Sequence, residues 1–429
     1  MKPLSKASQQ GLHGTLAVPG DKSISHRALM IGSISQGATH IHHFLAGQDC
    51  LSTLKAFQDL GVEIERQQDE VIVHGKGMMH LRPASIPLDM GNSGTTTRLM
   101  MGLLAGTSFT STLIGDQSLS KRPMKRVSEP LSELGVQVKL TEKGTLPAQV
   151  VGGTVHGKTV KLQVASAQVK SALILAALAA DQPTTIIEKL PTRNHTEIML
   201  RQFGAEIETA TNQRTITVQP HPDLVGQDVQ VPGDMSSAAF FMVAATIIPN
   251  SEITLKNVSL NPTRTGILRT MLKMGADIRV VEHETTGEPF GDLHVKTSKL
   301  HPIEIAETEI PALIDELPLV ALSAATASGI SKITGAAELR VKETDRIQAV
   351  SNELRKFGVQ VEELPDGMII QGQPDWKVQD SHLDSYGDHR IGMMDVIAAL
   401  KAEQSMILEN EAAISVSYPD FFTDLQHLM

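Results

Sequence analysis

The chain has 429 residues, a net charge of −10, 41% hydrophobic and 20% charged residues, and one cysteine. That length exceeds one ordinary core, so two domains are expected. The lone Cys50 excludes an internal disulfide and a Cys-rich zinc module, and the negative balance argues against a nucleic-acid partner while allowing a small anion held by local cations.

Reading from the start, "MKPLSKASQQGLHG" lacks the apolar region of a secretory signal, and the longest apolar runs, "SALILAALAA" and "AAFFMVAATII", fall short of the ~20 residues a bilayer needs. A soluble cytoplasmic protein is expected. "VPGDKSISHRALM" at 18–30 then opens a helix with Lys22, Ser23, His26 and Arg27, and "VPGDMSSAAFFMV" at 231 repeats the phrase with Met235, Ser236, Ala239 and Phe240. A second phrase recurs as "LGVEI", "LGVQV", "FGAEI", "MGADI" and "FGVQV", at intervals of about 70 residues. Its glycine closes an amphipathic helix, where a left-handed C′ residue is favoured, and an alternating strand follows. Each interval also holds a helix rich in small residues, such as "TTRLMMGLLAG" and "HRIGMMDVIAAL". The reading is an α/β chain of six helix-and-strand units grouped in threes, with the two "VPGD" stretches at the crossings between halves.

Cations collect in five segments: "GDKSISHR", "GNSGTTTR" with Asn92, Gly94, Thr95 and Arg98, "SKRPMKR" with Lys121, Arg122, Lys125 and Arg126, "RVKETDR" with Arg340, Lys342, Glu343 and Arg346, and "GDHR" with Asp388, His389 and Arg390. Each alone reads as a solvated helix start. Together, with Arg beside Gly and Pro, they point to a cleft for a multiply charged phosphate- and carboxylate-bearing ligand. Other signals read as structural. "GGTVHGKT" at 152–159 spells a P-loop, but the alternating "VKLQV" behind it predicts a strand and a hairpin turn. His40 and His42 lie on one strand face without a ligand set around them, and Cys50 is a small packing residue. Asp315 reads equally well as a helix cap and Glu343 as an ion-pair partner, with similar structural roles open to Asp49 and Asp345.

The stretches "PGDKSISHRALM", "GNSGTTTRLMMG", "KRPM", "SAQVKSALILA", "RVKETDR" and "YGDHRI" closely resemble the enolpyruvyl transferases, and within them the second bacterial class of the branch acting on shikimate 3-phosphate. The resemblance spans the chain from about residue 10. It implies two similar domains, each of three βαβαββ units around a pseudo-threefold axis, an inside-out α/β barrel. Residues 1–20 with 235–429 would form one domain and 21–234 the other, with the active site in the interdomain cleft. The implied reaction moves the enolpyruvyl group of phosphoenolpyruvate to the 5-hydroxyl of shikimate 3-phosphate by addition and elimination, with no metal or cofactor. It implies small-molecule substrates only and a monomer, and a site that a compact mimic such as glyphosate could enter beside Gly94.

By motif, Lys22, Ser23, Arg27, Ser166, Gln168, Arg193, Asp315 and Lys342 would bind shikimate 3-phosphate. Lys22, Gly94, Arg122, Gln168, Arg346 and Arg390 would bind phosphoenolpyruvate. Asp315 would be the base toward the hydroxyl, with Glu343 and Lys22 carrying the proton at C3. Two positions depart from the enterobacterial pattern: Val416 stands where those members carry Lys, and Glu338 where they carry Asn. The sister enzyme acting on UDP-N-acetylglucosamine usually carries a reactive Cys, sometimes an Asp, on the loop that here reads "GDQSLSKRPM", which has no Cys and only Asp116 as a weak substitute.

Overall fold

The computed structural model describes residues 2–4, 11–285, 287–402 and 404–429. The chain divides between Pro19 and Gly20 and again between Val231 and Pro232, inside both "VPGD" phrases. Gly20–Val231, with residues 287–288, form an inserted unit; the remainder, which carries both chain ends, forms a terminal unit.

The inserted unit holds three four-stranded sheets. One runs Asp228–Gln230, Gln36–His42, Glu70–Lys76, Glu63–Gln67; the second Leu88–Asp89, Thr110–Ile114, Ala148–Val151, Gln137–Lys139; the third Thr159–Lys161, Thr184–Ile187, Thr215–Val218, Ile207–Thr209. In each, the first pair is parallel and the other two are antiparallel. A parallel pair needs a crossover; Gly94–Leu103 and Ala167–Ala177 supply it in the second and third sheets, whereas in the first the strand Asp228–Gln230 returns from the far end of the unit to pair with Gln36–His42. Residues 88–151 and 159–218 therefore each read strand, helix, strand, helix, strand, strand.

The terminal unit repeats the pattern. Its sheets run His13–Ala17, Glu252–Ser259, Phe290–Lys296, Asp277–Glu282, and Glu304–Ile305, Gly329–Ile333, Gly367–Gly372, Gln360–Leu364; a three-stranded sheet of Lys2–Leu4, Met406–Glu409 and His382–Asp384 completes it. Among the described residues, six small mixed sheets, three to a unit and none closed into a barrel, give the α/β architecture expected from the sequence. No helix among the described residues is long and apolar enough to cross a membrane.

The small-residue helices are the cores of the two units. Lys22–Ser33, Gly94–Leu103 and Ala167–Ala177 are buried along most of their length in the inserted unit. Met235–Ile247, Leu317–Thr326 and His389–Ala402 are buried in the terminal unit, where each packs on the other two. Ala and Gly are needed because backbones meet: a Cβ on Gly102 would lie 1.9 Å from the carbonyl oxygen of Ala172. The amphipathic helices outside them end as read, with Gly61, Gly135, Gly204, Gly275 and Gly358 all left-handed at φ between 80° and 106°.

One local expectation is corrected. Thr159–Lys161 is a strand, as "VKLQV" predicts, but the preceding turn is not a hairpin. Ala148–Val151 and Thr159–Lys161 belong to different sheets, so residues 152–158 link two repeats. A Cβ on Gly152 would lie 2.4 Å from the Thr107 carbonyl oxygen and one on Gly157 1.9 Å from that of Gln182, so both glycines serve backbone packing.

A buried hydroxyl chain ties the first two inner helices of the inserted unit. His26 Nδ1 meets Thr53 Oγ1 at 2.7 Å, Thr53 meets Thr96 Oγ1 at 2.7 Å, and Thr96 donates to Ser93 Oγ at 2.6 Å. Burial drives His26 down to about 3, against Asp49 and with help from the Lys22 and Arg27 charges. The folded state thus holds His26 neutral where an unfolded chain would protonate it. Stability from this group is present above its ordinary value of 6.5 and is lost as pH falls toward 3. We predict that stability falls across that window by at most about 1.4 kcal/mol per pH unit from this residue, read as a falling Tm. His26→Asn should flatten the difference in thermal melts between pH 6.5 and 4.5.

Candidate active site

In the inserted unit the polar groups gather at the N-terminal ends of the inner helices, where free N–H groups and the helix dipole favour anions. Asp21 caps the first helix by accepting from Ile24 N at 2.9 Å, which sets Lys22 at its first position. The Lys22 ammonium pairs with Asp49 Oδ2. Burial alone would raise Asp49, but the Lys22 ammonium, bonded to it, and Arg122 hold it below the usual carboxylate range. Ser93 caps the second helix, which begins at Gly94. A Cβ on Gly94 would sit 3.2 Å from Arg98 Nη1 and 3.4 Å from Arg122 Nη1, so the absent side chain leaves two guanidiniums close together. Arg122 Nη2 donates to Asn92 Oδ1 at 2.7 Å. Arg98 Nη1 donates to Gln168 Oε1 at 2.5 Å, and Gln168 Nε2 donates to Thr95 Oγ1 at 3.0 Å, which fixes the amide's orientation.

Ser166 caps the third inner helix. Beside it Arg27, 4% exposed, donates from Nε to Thr196 Oγ1 at 2.6 Å, from Nη2 to Ser171 Oγ at 2.9 Å and from Nη1 to the Ser23 carbonyl at 2.9 Å. Burial brings Arg27 down to about 10, while Glu197, Asp21 and Glu288 oppose the fall and Arg193 adds to it. Gly94, Arg122 and Gln168 are thus gathered around Arg98 and Asn92, Arg122 is felt electrostatically at the Asp49 partner of Lys22, and Arg193 is felt at Arg27. Lys121 and Lys125 remain exposed.

In the terminal unit a second group forms where the Leu317–Thr326, Arg346–Lys356 and His389–Ala402 helices begin. Arg346, 1% exposed, donates from Nε to Asp388 Oδ2 at 2.7 Å and from Nη2 to Glu343 Oε2 at 2.8 Å and Asp388 Oδ1 at 3.2 Å. Its Nη1 lies 3.7 Å from Asp315 Oδ1. Burial works against its charge, but Glu343, Asp388 and Asp315 together raise it. Burial likewise opposes ionisation of Glu343, yet the Arg346 and Lys342 charges bring it to about 2. His389 is driven to about 3 by burial and the Arg390 and Arg346 charges, so it is neutral. Burial lowers Lys342, with Asp315 pulling it up and Arg346 pushing it down. Arg390 Nη1 donates to the Asp315 carbonyl at 3.1 Å, and its Nη2 lies 3.9 Å from Asp315 Oδ2.

Several ambiguous carboxylates are now placed. Asp315 is not the cap of its helix; Glu316 holds that position without a side-chain cap bond. Asp345 is a cap, accepting from Gln348 N at 3.1 Å, and it pairs with Arg340 at 2.7 Å. Asp116 accepts from Leu119 N and from Asn92 Nδ2, both at 2.7 Å, and so shapes a turn. Cys50 is fully buried, with Sγ 3.8 Å from the Lys22 carbonyl. Sequence reasoning passed over Arg264 and Glu316, which lie 3% and 1% exposed beside Asp315 and Arg390. The signal for Arg264 was present: "NPTRTG" sets an Arg in a Pro- and Gly-bearing turn ahead of a helix.

Comparison with known proteins fits this arrangement. The family model described as EPSP synthase (3-phosphoshikimate 1-carboxyvinyltransferase) matches residues 6–425. Proteins named 3-phosphoshikimate 1-carboxyvinyltransferase from Lactiplantibacillus plantarum and Limosilactobacillus fermentum are each 58% identical, over 100% and 98% of this chain and 99% and 98% of theirs. A solved EPSP synthase from Acinetobacter baumannii superposes with a TM-score of 0.89 at 42% identity, covering 99% of this chain and 97% of its own. The enolpyruvyl transferase NikO from Streptomyces tendae, 15% identical with a TM-score of 0.81 over 99% of this chain and 96% of its own, shares the fold. The chain belongs to the EPSP synthase family.

Proposed function

We propose that this protein transfers the enolpyruvyl group of phosphoenolpyruvate to the 5-hydroxyl of shikimate 3-phosphate and releases phosphate, as a cytoplasmic monomer that needs no metal. The observation that carries the reading is the Asp315 carboxylate, held 3.7–3.9 Å from Arg346, Arg264 and Arg390 in a chain of this family. A carboxylate kept among cations is a defined proton acceptor, and the surrounding guanidiniums can accept the negative charge of substrates.

The residues divide by chemistry. Lys22, Ser23, Arg27, Ser166, Gln168, Arg193 and Lys342 hold shikimate 3-phosphate. Lys22, Arg122, Gln168, Arg346 and Arg390 hold phosphoenolpyruvate, and Gly94 leaves room for it. In the addition, C3 of phosphoenolpyruvate gains a proton, Asp315 takes the proton of the 5-hydroxyl, and that oxygen bonds C2 to give a tetrahedral ketal. In the elimination, the C2–O bond to phosphate breaks with its electron pair on phosphate, and C3 loses a proton to restore the double bond. Glu343, held near 2, enters the cycle as a base and suits removal of the C3 proton. The Lys22 ammonium suits its delivery. Val416 is half exposed and offers no cation where enterobacterial members carry one; Arg122, Arg346 and Arg390 supply the charge.

Three outcomes are predicted. Phosphate release should require shikimate 3-phosphate and phosphoenolpyruvate together; equal release with UDP-N-acetylglucosamine in place of the first would assign the sister activity. Lys22→Met should fold and lose at least about 100-fold in kcat, the scale of a general acid, in steady-state phosphate assays. Asp315→Asn should bind both substrates in calorimetry and lose about 100- to 10,000-fold in kcat; wild-type turnover would remove Asp315 as the base.

A further inference from the structure

The second "VPGD" phrase has lost the cations of the first, yet its aspartate and serine are buried in a polar network that ends at Asp315. Asp234 caps the Met235–Ile247 helix by accepting from Ser236 N at 2.7 Å. Arg264 Nη2 donates to Asp234 Oδ1 at 3.0 Å and to Ser236 Oγ at 2.8 Å. Ser236 Oγ in turn donates to Glu316 Oε1, next in sequence to Asp315. The other terminal nitrogen of Arg264, Nη1, lies 3.8 Å from Asp315 Oδ2. All four groups of this network are at most 9% exposed. The backbone around it has no slack: a Cβ on Gly266, two residues after Arg264, would lie 2.3 Å from the Ala312 carbonyl oxygen, three residues before Asp315.

We propose that Arg264 is a positioning residue for the reaction: anchored by Asp234 and Ser236, it fixes the orientation of the Asp315 carboxylate from the side opposite its bonded nitrogen. The proposal rests on Asp315 being the base. The geometry favours it over a purely structural ion pair, because Arg264 is already neutralised by Asp234 and its Nη1 edge is directed at a second carboxylate. Among the described residues Arg346, Arg390 and Lys342 are also felt at Asp315, and each has been assigned above to a substrate. Arg264 differs from them in being anchored by Asp234 and Ser236 and in having no substrate assigned to it. Glu316 has the complementary part, accepting from Ser236 while its Oε1 lies 3.6 Å from Arg390 Nη1. The repeated phrase thus keeps its capping aspartate at both crossings. At the first it presents Lys22, and at the second it holds Arg264.

The test is steady-state kinetics of Arg264→Gln, which keeps a polar side chain but removes the charge and the Nη groups that reach Asp234, Ser236 and Asp315. The expected result is a kcat lower by about 10- to 100-fold, with KM for both substrates within about threefold of wild type. The acidic limb of the pH–kcat profile should move up by about one unit, because one guanidinium beside the carboxylate is gone. Arg264→Lys should return the limb toward its wild-type position. In an Asp315→Asn background the Arg264→Gln change should have little further effect. Wild-type kcat and an unmoved limb in Arg264→Gln would overturn the inference. So would a loss of kcat matched by an equal rise in both KM values with the limb unmoved, which is the mark of general misfolding of the site. Should Arg264→Gln fail to fold, Arg264→Lys decides: a kcat reduced without a change in KM supports the role, and wild-type kcat overturns it. The two readings fail separately. An active Asp315→Asn removes the base itself, whereas an inactive Asp315→Asn beside a wild-type-like Arg264→Gln removes only Arg264.

Discussion

A buried guanidinium must be matched by carboxylates, and much of the terminal unit follows from that requirement. Arg346 is 1% exposed, and taking its charge out of water unpaired would cost several kcal/mol. Asp388 and Glu343 meet it through three hydrogen bonds, with Asp315 at 3.7 Å. These contacts join the segments that open three different helices, so the ion network and the helix packing fix each other. Arg264 with Asp234 repeats the device nearby. In the inserted unit Lys170, also 1% exposed, lies between Glu188 at 3.1 Å and Glu197 at 2.8 Å. The charges are therefore oriented by the fold before any ligand arrives, and a preorganised site spends little reorganisation at the moment of reaction.

The same network sets protonation states. His26 and His389 are neutral because burial outweighs every nearby charge that would protonate them. Glu343 is ionised for the opposite reason, since the cations around it overcome its burial. Groups that burial alone would neutralise thus end in opposite states according to their neighbours.

The duplicated "VPGD" shows how one backbone solution serves two chemistries. Both copies cap an inner helix through aspartate, Asp21 toward Ile24 N and Asp234 toward Ser236 N. The residue that follows diverges. Lys22 remains partly exposed and paired to Asp49, whereas Met235 is fully buried in the apolar core. Duplication preserved what the helix start requires and left the side chains free to specialise.

Local chemistry made the repeats, the glycines that close the outer helices and the crowded small-residue helices legible in the sequence, since each follows from a few neighbouring residues. The resemblance of its long motifs carried the candidate residues. The partners could not be read that way. Asp315 and Asp345 look alike in sequence, yet only Asp345 is a cap, because the guanidiniums beside Asp315 come from segments tens of residues away. The turn after Gly152 looked like a hairpin because the flanking strands alternate, and only the pairing shows that they lie in different sheets. Arg264 went unnoticed for the same reason: its anchor, Asp234, is 30 positions away. The sequence by itself determined which backbone and charge elements exist. The tertiary structure decided which of them meet, because Coulomb and hydrogen-bond energies depend on separation in space, and folding alone sets that separation.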